Sequence, residues 1–205
     1  MKGYGLVLSG GGAKGSYEIG VWKALKDMGI PIVAITGTSI GALNGAMLVQ
    51  GDDVLCELAW TNFSVEEIID INNEKWEEDK IYEKHFSIFT VLKNLITNEG
   101  LELTPLTESL EQYIDEDEIR TSPIDFGLVT YSLTDFEALQ VFKDEIPEGQ
   151  LVNYLIASAC FPIFKPMEID NKKFIDGGFH DNVPIDLMAS KGIEDIIAVD
   201  VSGFG

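Results

Sequence analysis

Two short apolar runs, Gly5-Leu6-Val7-Leu8 and Ile32 to Ile35, bracket a helical pattern from about Ser16 to Met28 that places Ile19, Trp22, Leu25 and Met28 on one side. Runs this short with no polar alternation read as strands buried on both faces. A strand, a helix and a second strand in that order form a βαβ unit, whose crossover returns the chain parallel to itself. The chain is therefore expected to be α/β with a mainly parallel central sheet. Phe126 to Tyr131, Ala138 to Phe142, Lys173 to Ile175 and Ile196 to Val201 supply further strands. Between Asp52 and Pro123 the character changes: Trp60, Phe63, Trp76, Tyr82, Phe86, Phe89 and Leu92 lie among charges, and the stretch reads as a mainly helical insertion covering one end of the sheet. With 205 residues, 45% of them hydrophobic, the whole of 1–205 fits one domain carrying that cover.

The second apolar run gives way at once to Gly37-Thr38-Ser39-Ile40-Gly41 and then to a helical stretch, Ala42 to Val49. A strand that turns directly into a helix holds its turn residue in a strained conformation, and a glycine on each side removes the Cβ atoms that would collide. The Ser39 hydroxyl is then presented at the carboxyl end of the sheet, above the first N–H groups of the new helix. Ser39 reads either as a nucleophile or as a simple helix cap.

Ser9-Gly10-Gly11-Gly12-Ala13-Lys14-Gly15 follows the first strand, and Gly10, Gly12 and Gly15 match the dinucleotide fingerprint G-x-G-x-x-G. A dinucleotide site also needs an acid roughly 20 residues on, at the end of the second strand, to hold the ribose hydroxyls. Between Asp27 and Asp52 there is no acid, and the Ser39 turn stands in its place. A phosphate-binding P-loop fails as well, because Ser16 and Tyr17 follow Gly15. What remains is a row of backbone N–H groups at a helix N-terminus beside a serine, the arrangement of an oxyanion hole.

A serine nucleophile needs a base, commonly histidine. His85 lies in the acidic helical region with no pattern around it, whereas His180 falls within Phe174-Ile175-Asp176-Gly177-Gly178-Phe179-His180-Asp181-Asn182-Val183-Pro184. There Asp176 follows a strand and precedes two glycines, so its carboxylate can project from the sheet while the backbone turns away.

In order, Gly10 to Gly15, the Gly37 to Gly41 elbow and Asp176-Gly177-Gly178 resemble the patatin-like phospholipases, a family of lipid acyl hydrolases. Ala157 to Pro166, Asn182 and Pro184 also resemble that family's pattern, so the likeness spans nearly the whole chain. The resemblance implies a three-layer α/β/α fold, no cofactor and no metal, and a Ser-Asp dyad in place of a triad. It assigns Ser39 as nucleophile and Asp176 as general base, with the amides of Gly10, Gly11 and Gly12 as the oxyanion hole. Lys14, Gly15, Gly37, Gly41, Gly177 and Gly178 support these motifs. An unperturbed Asp titrates near about 3.9 and is a weak base, so the site must desolvate Asp176 or hold it tightly against Ser39. Ser9 and Lys14 stand where many members carry Asp and Arg, and the chain stops just after a strand where family domains generally continue. A shortened C-terminal part or a compact member is the expectation there.

Lys+Arg of 14 against Asp+Glu of 35 gives a formal net charge of −21, which argues against nucleic acid as a partner. A lipid or acyl ester substrate and a transient membrane contact are the partners the resemblance implies, and oligomeric state is not legible. His85 to Ile96 sets Ile88, Phe89, Leu92, Leu95 and Ile96 on one helical face, as the buried side of a helix or the lining of an acyl groove. Cys56 and Cys160 have no disulfide or metal spacing and are expected to pack as small apolar residues. With no leader pattern and no spanning run of about 18 apolar residues, a cytoplasmic location is expected, with leaderless export left open. Rival readings are a serine hydrolase using His180, a dinucleotide-dependent oxidoreductase, and a catalytically silent lipid-binding protein.

Overall fold

The computed structural model describes residues 3–62 and 100–203. Its centre is a seven-stranded sheet built of β1 (Tyr4–Leu8), β2 (Ile32–Thr38), β3 (Asp125–Ser132), β4 (Glu137–Phe142), β5 (Met167–Ile169), β6 (Lys172–Asp176) and β7 (Ile196–Val199). The order is β5-β6-β3-β2-β1-β7, with β4 also paired to β3. β7, β1, β2 and β3 run parallel, and β4, β5 and β6 add an antiparallel flank. The helices are α1 (Ser16–Asp27), α2 (Ile40–Gln50), α3 (Asp53–Asn62), α4 (Thr104–Tyr113), α5 (Glu116–Thr121), α6 (Leu151–Ala159) and α7 (Ile185–Ser190).

The continuous apolar runs of β1 and β2 face two layers. Leu6, Leu8, Ile35, Phe126 and Leu128 join the main core with residues of α1 to α6, while Val7 and Ala34 meet Met188 of α7 on the opposite face. At about 1.5–3 kcal/mol for each large side chain fully buried, the first face dominates the packing energy. The three layers are thus unequal: among the described residues, one face carries six helices and the other the six-residue α7.

α1 has the amphipathic pattern read from its sequence, but Met28 falls outside it. Ile19 and Trp22 are buried, whereas Met28 is 71% exposed. The helix stops at Asp27 because Gly29 takes φ +67°, and the N–H groups of Gly29 and Ile30 close back on the carbonyls of Lys26 and Leu25. α2 is apolar around its circumference and buried from Gly41 to Val49, as a helix at the centre of a core must be.

Of the stretch from Asp52 to Pro123, the described parts contain the helices α3, α4 and α5. The stripe from His85 to Ile96, and Phe63, Trp76, Tyr82, Phe86, Phe89 and Leu92, lie outside the described residues. Cys56 and Cys160 are both fully buried, and burial pushes each thiol up to about 12. Among the described residues no helix is long and apolar enough to cross a membrane.

Candidate active site

Ser39 and Asp176 are separated by 137 positions, and β3 brings them together. β4 occupies one edge of β3, so β2 and β6 share the other. β2 runs parallel to β3 and ends with Thr38 opposite Val129; β6 runs antiparallel and ends with Asp176 opposite Thr130. The two strands therefore meet carboxyl end to carboxyl end on adjacent rungs. Ser39 is the next residue after one terminus, and Asp176 is the last residue of the other.

At that junction the Ser39 Oγ–H donates to Asp176 Oδ2 at 2.6 Å, the length of a hydrogen bond to an ionised carboxylate. Ser39 takes φ +55°, ψ −126°, a conformation L residues rarely hold. The flanking glycines permit it by close approach: a Cβ at Gly37 would lie 2.2 Å from Gly41 O, and one at Gly41 2.5 Å from Leu8 O. The strained turn is also tied from outside. The Ser39 N–H donates to Ser158 Oγ at 2.9 Å, and the Ser158 hydroxyl donates onward to Val129 O at 2.7 Å. Ser158 thereby pins the turn to α6 and β3 together.

Asp176 is 5% exposed. Its Oδ1 accepts from the Gly178 N–H at 2.7 Å, and its own N–H donates to Cys160 O at 2.8 Å. Gly177 packs its Cα onto the β3 backbone, where a Cβ would lie 2.2 Å from Val129 O. Burial pushes the Asp176 carboxyl above the usual carboxylate range, and the hydrogen bonds from Ser39 and Gly178 offset this only in part.

The glycine cluster stands against the same junction. A Cβ on Gly10 would come within 3.2 Å of Ser39 Cβ and 2.4 Å of Asn182 Oδ1. Asn182 clamps Gly10 twice, with Nδ2 donating to Gly10 O at 3.1 Å and the Gly10 N–H donating to Asn182 O at 3.1 Å. The Gly10 amide is therefore engaged. Among the described residues, the amides of Gly11 and Gly12 meet no acceptor within the chain. Gly12 takes φ +57° and opens the 3-10 turn that leads through Gly15 into α1, with open space around it. Lys14 is exposed on that turn, and its charge acts on Asp200. Ser9 is buried and accepts the Val201 N–H at 2.8 Å, which joins the cluster to the segment after β7.

Among the described residues no hydrogen bond joins Ser39 to His180. Its ring stacks on Tyr131 at 6.4 Å, in the wall of a shallow groove of about 600 Å³, while the Ser39 hydroxyl is directed at Asp176. His85 is outside the described residues. No three His, Cys, Asp or Glu side chains among the described residues are grouped so as to hold a metal ion. Ser158 and Asn182 received no role from the sequence, although both lie in segments that carried the family likeness. Their partners are 119 and 172 positions away.

An α/β sheet that presents a serine on a strand-to-helix elbow, facing a buried aspartate beside a glycine-lined turn, defines the class of this molecule. The family model for patatin-like phospholipases matches residues 6–189, and the chain belongs to that family. Patatin-like phospholipase domain-containing protein 7 of Rattus norvegicus is 28% identical over 201 residues, an alignment that covers 96% of this chain and 13% of that protein. Neuropathy target esterase sws of Drosophila melanogaster is 30% identical over 202 residues, with 96% of this chain and 13% of that protein covered. The chain thus spans 13% of the length of these relatives. The crystal structure of VipD from Legionella pneumophila shares the fold, with a TM-score of 0.64 at 16% identity over 97% of this chain and 49% of that one.

Proposed function

We propose that this chain is a serine acyl hydrolase that cleaves fatty acyl esters of lipids through Ser39 and Asp176. The observation that carries the reading is the 2.6 Å hydrogen bond from a strained, glycine-flanked serine to a buried carboxylate. In the forward step Asp176 takes the hydroxyl proton as Ser39 Oγ bonds to the ester carbonyl carbon. The amides of Gly11 and Gly12 face the negative charge that develops on the carbonyl oxygen. Collapse expels the alcohol, which takes the proton back from Asp176 and leaves an acyl-enzyme. Water then attacks the acyl carbon by the same route and releases the fatty acid and the free serine. The raised pKa of Asp176 makes it a stronger base than an exposed aspartate, which is the compensation a dyad without histidine requires.

An apolar cavity of about 80 Å³ lies between α2 and the cover, lined by Ile40, Leu43, Met47, Trp60, Leu106 and Leu110 among others. Ile40, the residue after Ser39, forms one of its walls, and the apolar lining suits part of the alkyl portion of an acyl chain. The patatin-like family membership supports a lipid substrate.

The test is labelling with an acyl-chain fluorophosphonate, with the adduct mapped by mass spectrometry. Labelling is expected at Ser39, lost in Asp176→Asn and retained when His85 and His180 are both replaced by Ala. An adduct that depends on either histidine, or a folded wild type that takes up no label, would overturn the dyad.

A further inference from the structure

Behind the glycine turn sits a buried polar cluster with no part in the proton transfer described above. Glu18, in the first turn of α1, has zero exposure. Its Oε2 accepts from Asn44 Nδ2 at 2.7 Å, and its Oε1 has no hydrogen-bond partner among the described residues. Asn44 lies in the second turn of α2, and its Nδ2 also donates to Gly15 O at 3.0 Å. Its Oδ1 accepts from Trp60 Nε1 of α3 at 2.9 Å. Because an indole nitrogen can only donate, Oδ1 must face Trp60, and Nδ2 must face Gly15 O and Glu18. The amide orientation is thereby assigned, because a flip would set like against like at both Gly15 O and the Trp60 N–H.

We propose that Glu18 is a positioning residue for the acyl-transfer site, fixing Asn44 and through it the glycine turn, the helix that begins at Ser39 and the cover helix α3. The assignment rests on the reading of Ser39 as the nucleophile. Gly15 closes the turn that carries the Gly11 and Gly12 amides, so the Asn44 bond to its carbonyl sets where those donors stand relative to Ser39. Packing at the same point is tight: a Cβ on Gly15 would lie 2.6 Å from Ile40 and 3.0 Å from Trp60. Trp60 in turn lines the apolar cavity, so one amide joins the donors, the elbow helix and the wall of the cavity proposed for the acyl chain.

The chemistry of Glu18 suits this role in its protonated form. Burial lifts its carboxyl to about 8, against smaller opposing effects of the Asn44 side chain and the Ser9 backbone. Those two groups face it from α2 and from the loop after β1, and no charged side chain contributes to the balance. A neutral acid tolerates an unpaired oxygen in the interior at far lower cost than a carboxylate does. Ionisation places a charge in the interior, and the shift that relieves it passes to Asn44 and the other bonds its amide makes.

The test combines labelling kinetics with a readout that needs no turnover. Fluorophosphonate labelling of Ser39 is timed at about pH 7 and about pH 9 in wild type, Glu18→Gln and Glu18→Ala, and the Trp60 indole N–H resonance is followed by NMR across the same range. Glu18→Ala is expected to slow labelling by about ten- to a hundred-fold, and Glu18→Gln to restore most of the rate at about pH 7. The Trp60 resonance is expected to move with a midpoint near pH 8 in wild type and to stay still in Glu18→Gln. Wild-type labelling slows relative to Glu18→Gln above that midpoint. A folded Glu18→Ala that labels at the wild-type rate overturns the assignment. If Glu18→Ala does not fold, an unchanged ratio of wild type to Glu18→Gln between the two pH values overturns it instead. An unlabelled wild type removes the acyl-transfer reading and this assignment with it; a labelled wild type matched by its Glu18 variants removes this assignment alone.

Discussion

Replacing Glu18 by glutamine is expected to stabilise the fold increasingly as pH rises. In the folded chain burial lifts the Glu18 carboxyl from its ordinary 4.5 to about 8, whereas in the unfolded chain it returns to its ordinary value. The folded state therefore holds this proton more tightly. By linkage the contribution of Glu18 to stability is fully present below about pH 4.5 and is lost as pH rises through about 8, above which both states are ionised. At about 1.36 kcal/mol per pH unit the loss across that window is about 5 kcal/mol, of which about 3 kcal/mol has gone by pH 7. Glutamine has nearly the same shape, keeps a carbonyl oxygen for the Asn44 amide and never ionises. Urea unfolding of wild type and Glu18→Gln from about pH 5 to about pH 9 should show a gap in unfolding free energy that widens by several kcal/mol and levels off near pH 8. The net charge of −21 shapes the pH dependence of both proteins and drops out of their difference. A gap that stays constant to within about 1 kcal/mol over that range would mean that Glu18 is already ionised in the fold. That result would refute the argument from burial.

Asp176→Asn is expected to lower ester hydrolysis by about three to four orders of magnitude while leaving the melting temperature at neutral pH unchanged or higher, because it removes a carboxylate whose ionised form is disfavoured by burial. For the same reason the acid limb of wild-type kcat/KM should lie above the usual carboxylate range, with the rate present above the raised Asp176 pKa and lost below it; a limb at or below that range counts against Asp176 as the base. Lys143 is 5% exposed and donates to the carbonyls of Ile119, Ser122 and Ile124 at 2.9, 2.8 and 3.0 Å. Lys143→Met strands these acceptors and should cost about 2–5 kcal/mol. In a chain of this size that is a fall of roughly 5–15 °C in melting temperature by calorimetry.

What the sequence made legible follows from how local each constraint is. β1 and β2 are legible because burial on both sheet faces writes unbroken apolar runs, and α1 because its apolar residues recur at helical spacing. Ser39 stands out by its glycine-flanked turn between strand and helix, whereas the Asp176 turn is a weak string that takes its meaning from the family resemblance. β5 has no clear signal in the sequence: Met167–Ile169 is three residues long, contains a glutamate and, among the described residues, pairs with β6 alone. The contacts of Ser158 and Asn182 are not legible locally, since each has its partner on a distant segment. Glu18 is the extreme case. One acid in the first turn of an amphipathic helix reads as a solvated, dipole-favoured residue, and only the packing of α2 and α3 over it turns it into a buried acid.

The head-on meeting of β2 and β6 along one edge of β3 separates two kinds of inheritance. The gap between Ser39 and Asp176 is fixed by which rungs of β3 each strand occupies, and a slip of a single rung would displace the carboxylate by about 3.3 Å and turn it to the opposite face. Among the described residues between α3 and β3, the helices α4 and α5 take no part in either pairing. Helix α4 can therefore exchange the apolar residues it lends to the cavity while the strand register that spaces Ser39 from Asp176 is kept, so the two features are free to change independently.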